Sequence, residues 1–229
     1  MIYILNSLLN KLYIYTIKAE GKVKDDKEVK TNNLRKKSKL KWLLKLLPLF
    51  LITLFVTGVM SLLQSILPID LVNGGIVRAP FIEQRVATLV TIKLIFLAIF
   101  QWPVGYILRN KNSPLKFRLC LVSLLIGFIF LSLSNFFIDG YILILISFIP
   151  LTIALCIFLP SAADSIIRSS PIKYRGSAIA LYSQCFGVSA LTIPWMAGKL
   201  IDNYNTAFQL WLIISLLCII LLPFCKNIK

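Results

Sequence analysis

Six apolar runs between Leu46 and Cys225, each long enough to cross a lipid bilayer, limit this 229-residue chain to one class of fold. Leu46 to Ile69 carries no ionisable residue, Val86 to Leu108 carries one lysine, and Leu119 to Ile138 carries none. Tyr141 to Ala163, Gly176 to Gly198 and Asn203 to Cys225 are also uncharged. A hydrocarbon core of about 30 Å takes roughly 20 helical residues at a rise of about 1.5 Å each, so every run spans it. Six buried helices in a water-soluble protein would need a second apolar layer around them, and a chain of this length cannot supply one.

Charge fixes how the spans are expected to sit. The net charge is +16, which in a soluble protein would suggest a nucleic-acid partner, but its distribution says otherwise. Twelve lysines and arginines precede the first span; Arg109, Lys111, Lys116 and Arg118 lie between spans two and three, and Arg168, Lys173 and Arg175 between four and five. With Lys226 and Lys229, this places most of the 25 basic residues on one face and leaves Arg78, Arg85 and Lys199 on the other. By the positive-inside rule both termini are cytoplasmic, and a bacterial cytoplasmic (inner) membrane is the expected home. Nucleic acid is not an expected partner.

The chain is accordingly read as an all-α polytopic membrane protein. Residues 1–18 pair an apolar surface with a stripe of Asn6, Ser7, Asn10, Lys11 and Lys18, which fits either an amphipathic helix on the membrane surface or the remnant of an earlier span. Residues 19–41 are lysine-rich and short of large apolar side chains, as in a flexible linker held near anionic headgroups. Residues 42–225 form the six-span domain and 226–229 a short tail. The loop between spans three and four shrinks to Asp139 and Gly140, which makes those helices antiparallel neighbours; Asp202, Asn203 and Asn205 are candidate caps for the sixth helix.

The chemistry available is narrow. There is no histidine, and Cys120, Cys156, Cys185, Cys218 and Cys225 show no paired spacing, so they read as small packing residues with no metal, disulfide or cofactor implied. No nucleophile elbow, P-loop or cluster of intramembrane carboxylates is present, which argues against an enzyme. Within the membrane Lys93 stands out, the eighth residue of its run and about 10 Å below its end. A charge at that depth faces a solute pathway, snorkels, or makes a structural hydrogen bond. Gln101, eight residues on, is expected on much the same face; Gln64, Tyr182 and Gln184 are the other polar candidates for a pathway.

Two spans carry matched helix breakers. Trp102, Pro103 and Gly105 come late in span two, and Pro194, Trp195 and Gly198 come late in span five, hence on opposite sides of the membrane. Two three-helix repeats of opposite orientation would place them so. The segment Pro171-Ile-Lys-Tyr-Arg175-Gly176-Ser-Ala178, followed by Gly187, Pro194, Gly198 and Asp202, resembles the tenth-to-eleventh-helix region of the major facilitator superfamily. Gly105-Tyr-Ile-Leu-Arg109-Asn-Lys111 sits where that family has its second Gly-x-Leu-Ala-Asp-Arg-x-Gly-Arg-Arg loop, but only the first glycine and the basic character survive, and Arg109 stands in place of the aspartate. The resemblance covers residues 42 to 225 and implies the carboxy-terminal six-helix half of such a transporter. It further implies alternating-access transport of a small solute, a cavity lined by spans one, two, four and five, spans three and six toward lipid, and a second six-helix half, either separate or a second copy. Arg109, Asp164, Arg175 and Gly176 are candidates for a cytoplasmic gate, with solvated loop charges that only set orientation as the alternative. A truncated inactive remnant, a six-helix channel and a membrane scaffold are the competing functions.

Overall fold

The computed structural model describes residues 29–204 and 206–227, with side chains over residues 46–204 and 206–225. The expected surface helix at 1–18 lies outside the described residues. Every described element is helical. α1 (Val29–Asn73), α2 (Glu83–Leu108), α3 (Ser113–Leu133), α4 (Tyr141–Ser169), α5 (Arg175–Tyr204) and α6 (Phe208–Leu221) carry the six spans. The chain divides into two compact units with the boundary after Leu43, and all six spans belong to the unit that begins at Leu44.

The membrane-spanning parts are Leu46–Asn73, Glu83–Leu108, Ser113–Phe136, Tyr141–Ser169, Ile172–Tyr204 and Phe208–Cys225. Most are longer than the uncharged runs, because a helix continues through polar residues wherever its backbone hydrogen bonds can. Residues 19–28 of the expected linker lie outside the described residues; from Val29 onward that stretch is helix and not flexible linker. Between Val29 and Lys45 there is neither glycine nor proline, and leucine, lysine and arginine are good helix formers, so the helix of the first span extends back through them. The proposed caps of the sixth helix also move. Asp202 and Asn203 belong to the last turn of α5, and α6 begins after Ala207, where the Thr206 hydroxyl donates to Gln209 Oε1 at 2.9 Å.

The core gathers on α1, α3 and α4. Ile52, Val56, Leu67, Leu121, Leu124, Phe128, Phe148, Leu151 and Phe158 are fully enclosed. α3 and α4 pack along most of their length, as the short connection between them requires, and Gly127 allows it: a Cβ there would run into Leu151. α1 lies between α2 and α5, tied to the first by Lys93 and to the second by a hydrogen bond from Ser189 Oγ to Thr57 Oγ1 at 2.8 Å. Beside that bond Gly58 receives the Ile193 side chain. The helices alternate in direction, so the unit has a near end, with Leu46 and the 109–112 and 170–174 connections, and a far end, with the 74–82, 134–140 and 205–207 connections.

Candidate functional site

α2 and α5 are the spans that the unit's own packing covers least. Only 17% of the second span and 11% of the fifth are buried, against 56% of the first and fourth. Four glycines sit on these two spans, Gly105, Gly176, Gly187 and Gly198, and each has open space where a side chain would be. The exposed surface is mixed. Ile95, Ile99, Leu191 and Met196 alternate with Thr88, Thr91, Gln101, Ser183, Gln184 and Thr192. Lipid tails accept the first group at no cost but offer the amides nothing to bond with, so Gln101 and Gln184 at bilayer depth call for a protein or solute neighbour.

The helix breakers fall on these faces too. Trp102 is 80% exposed and stacks on Tyr106 with ring centroids 6.1 Å apart; Trp195 is 63% exposed, and the Lys199 ammonium lies 3.9 Å from its ring centroid. Ala98, Gln101, Trp102, Gly105, Tyr106 and Arg109 outline a shallow groove. Five come from α2 and Arg109 directly follows it, so the groove is the uncovered side of that helix and lacks the opposing wall that holds a small molecule.

Lys93 has gone inward. It is buried, and its Nζ donates to the Leu63 carbonyl of α1 at 2.8 Å. Leu63 lies in the turn before Pro68, whose missing N–H leaves the neighbouring Gln64 carbonyl without its usual helical donor. Among the described residues no carboxylate pairs with Lys93. The expectation that Gln101 shares its face fails: eight residues at about 100° each leave the two roughly 80° apart, and that suffices to put Lys93 against α1 and Gln101 on the open side. Gln64 and Gln184 are exposed on α1 and α5, and Tyr182 is half-buried, its ring edge-on to Phe186 at 5.2 Å. Burial within the unit differs from span to span. α1 and α4 are internal, α2 and α5 are the open pair, and α3 is half-buried while still presenting Val122, Ile126 and Ile129 outward.

At the near end the charges proposed as a gate are not joined. Asp164 Oδ1 accepts from Arg168 Nε at 2.7 Å, one turn along the same helix, and Arg109 and Arg175 are exposed.

The far end holds a cluster that the run-by-run reading of the sequence missed. Asp70, at the end of the first span, and Arg78, in the loop after it, form an ion pair at 3.2 Å with both side chains wholly buried. Arg78 Nη2 also donates to the Asp70 backbone carbonyl at 2.9 Å, and Nη1 to Ser134 Oγ at 3.0 Å. Trp211 of α6 donates its indole N–H to Asp70 Oδ2 at 3.1 Å and stacks on Phe128 of α3. Asp70 Oδ1, Arg78 Nε and Asn135 Oδ1 are buried without a partner among the described residues. A signal was present in the sequence. An acid and a base flank the Gly74-Gly75 turn, where Gly74 adopts a φ of 87° that other residues rarely take.

Comparison with family models, with curated proteins and with solved structures returns no match.

Proposed function

We propose that this chain works as half of a secondary transporter of the major-facilitator type, moving a small solute by alternating access between two six-helix units. The observation that carries the reading is the bare face of α2 and α5. Two spans that share little else in sequence are both left open, carry uncovered glycines (Gly105 on α2; Gly176, Gly187 and Gly198 on α5), and are both furnished with amides and hydroxyls at bilayer depth. Glycine-lined helices let a neighbouring backbone approach closely, and an amide facing that neighbour gains a partner that lipid withholds. A second six-helix unit laid on this face would enclose Gln101 and Gln184, together with Gln64 of α1, in a polar seam at the interface. Alternating access needs such a seam, since the two units rock about a midplane site.

The resemblance of Pro171–Ala178 to the loop before the eleventh helix of that family supports the same assignment, as do the breakers Pro103 and Pro194, each late in its helix and so toward opposite ends of the unit. On this reading the near end, with its lysines and arginines, faces the cytoplasm. Uncharged amides beside Tyr182 suit a polar, neutral or amphipathic solute. Buried Lys93 holds α1 against α2 through the Leu63 carbonyl.

The test is flux in proteoliposomes that contain the chain together with its covering unit, screened by counterflow with labelled sugars, amino acids and nucleosides. Saturable uptake of one class, lost in a Gln101→Ala and Gln184→Ala double variant, is the expected outcome. Unsaturable ion conductance would assign the chain to the channels and end this proposal.

A further inference from the structure

The buried polar contacts that join separate segments at the far end gather around one ion pair, and Arg78 is its hub. Its guanidinium reaches the Asp70 carboxylate and carbonyl at the end of α1 and the Ser134 hydroxyl in the turn after α3. Asp70 in turn accepts the indole N–H of Trp211 from α6. The backbone repeats this pattern: the Val77 and Arg78 amides donate to the Asn135 carbonyl at 2.9 and 3.3 Å, Ala79 to Ile138 at 3.3 Å, and Phe81 back to Leu71 at 3.0 Å. Glycines make room for it. A Cβ on Gly75 would strike Asn135 Oδ1, and one on Gly140 would meet the Ser134 carbonyl and Arg78 Cδ.

We infer that Arg78 locks the far ends of α1, α3 and α6, with the 74–82 and 134–140 loops between them, into one block that moves as a unit whenever the protein changes conformation. The physical ground is the cost of opening it. A buried guanidinium and carboxylate separated from each other would each need new partners; the surrounding Phe81 and Phe128 offer none, and the Trp211 N–H is already taken by Asp70. The other side-chain hydrogen bonds between spans, Ser189 to Thr57, Lys93 to the Leu63 carbonyl and Cys156 to the Leu97 carbonyl, are single bonds and give way more easily. Arg78 is thus a positioning residue: it touches no solute and acts by holding the block shut. The inference does not depend on the transporter reading, because the block would be equally rigid in a channel or a scaffold.

Hydrogen exchange of the purified chain in lipid nanodiscs, read by mass spectrometry, tests it. In the unaltered protein, peptides covering residues 74–82 and 134–140 and the first turn of α6 exchange slowly and together. In Arg78→Gln or Asp70→Asn all three accelerate together by about tenfold or more, because loss of one partner frees every segment it held. The double variant Asp70→Asn with Arg78→Gln recovers part of the protection, since no unpaired charge remains buried. Should the single variants fail to fold, Trp211→Phe keeps the stacking on Phe128 and removes only the N–H donor, and a severalfold acceleration across the same three segments is expected. Acceleration confined to residues 74–82, additive effects in the double variant, or unchanged exchange in Trp211→Phe would overturn the inference.

Discussion

Lys93 shows how much of a residue's meaning depends on what lies across from it. Depth along the run identified it as costly, but whether it faces a pathway or a neighbouring helix depends on α1, which no local pattern records. Its ammonium has one carbonyl partner for three N–H donors. A buried charge so thinly compensated costs several kcal/mol, more than one such bond returns. Lys93→Met is therefore expected to raise the stability of the bundle by about 1 kcal/mol, seen as a higher midpoint in thermal unfolding; a lower midpoint would show that the bond outweighs the desolvation. Asp70 and Arg78 behave in the opposite way, because each has several partners that would be stranded. Either single neutralisation should lower stability by about 3–5 kcal/mol. Gly75→Ala should cost about 2 kcal/mol, since Asn135 and Arg78 leave no space for a methyl group; a midpoint equal to that of the unaltered protein would show that the far-end cap is loosely packed. These contacts were hidden in the sequence for a simple reason. Asp70 and Trp211 are 141 positions apart, and hydropathy reads one run at a time.

At the scale of helices the sequence was far more legible, because a bilayer demands about 20 consecutive apolar residues and few other environments do. All six spans lie where the uncharged runs place them. Their ends do not, since Glu83, Gln84 and Arg85 carry helix before Val86, Lys199 to Asn203 carry it past Gly198, and the lysines after Val29 do so before Leu46. Which face of each helix is covered was less legible still. Thr88, Thr91 and Gln101 hint that α2 has an uncovered side, and the glycines of α5 hint the same, but only their joint lack of neighbours makes the pair stand out. Two glycines separate these roles experimentally. Gly127→Val should destabilise the chain by about 2–3 kcal/mol because Leu151 already fills the space, whereas Gly187→Val should leave the thermal midpoint of the isolated unit unchanged. A large destabilisation by Gly187→Val would mean that the face of α5 is covered within the unit itself.

The unit as a whole is asymmetric between its two ends and between its faces. The far end is closed by a buried ion pair with bonds from four segments, while the ion pair at the near end lies within one helix and is exposed. One side has a dense core and the other shows glycine and amide to whatever lies against it. On the proposed reading the open side is completed by a second unit, and transport accounts for the polar groups along the opening. Native mass spectrometry of the chain released from its own membrane tests that claim most directly. The expected result is a complex in which the 25.9 kDa chain is joined by a second multi-span unit, another copy or a different chain, and in which Gly105→Leu with Gly187→Leu abolishes the complex while leaving the chain folded. A folded species of 25.9 kDa alone, at every concentration and in the gentlest detergent, would contradict it.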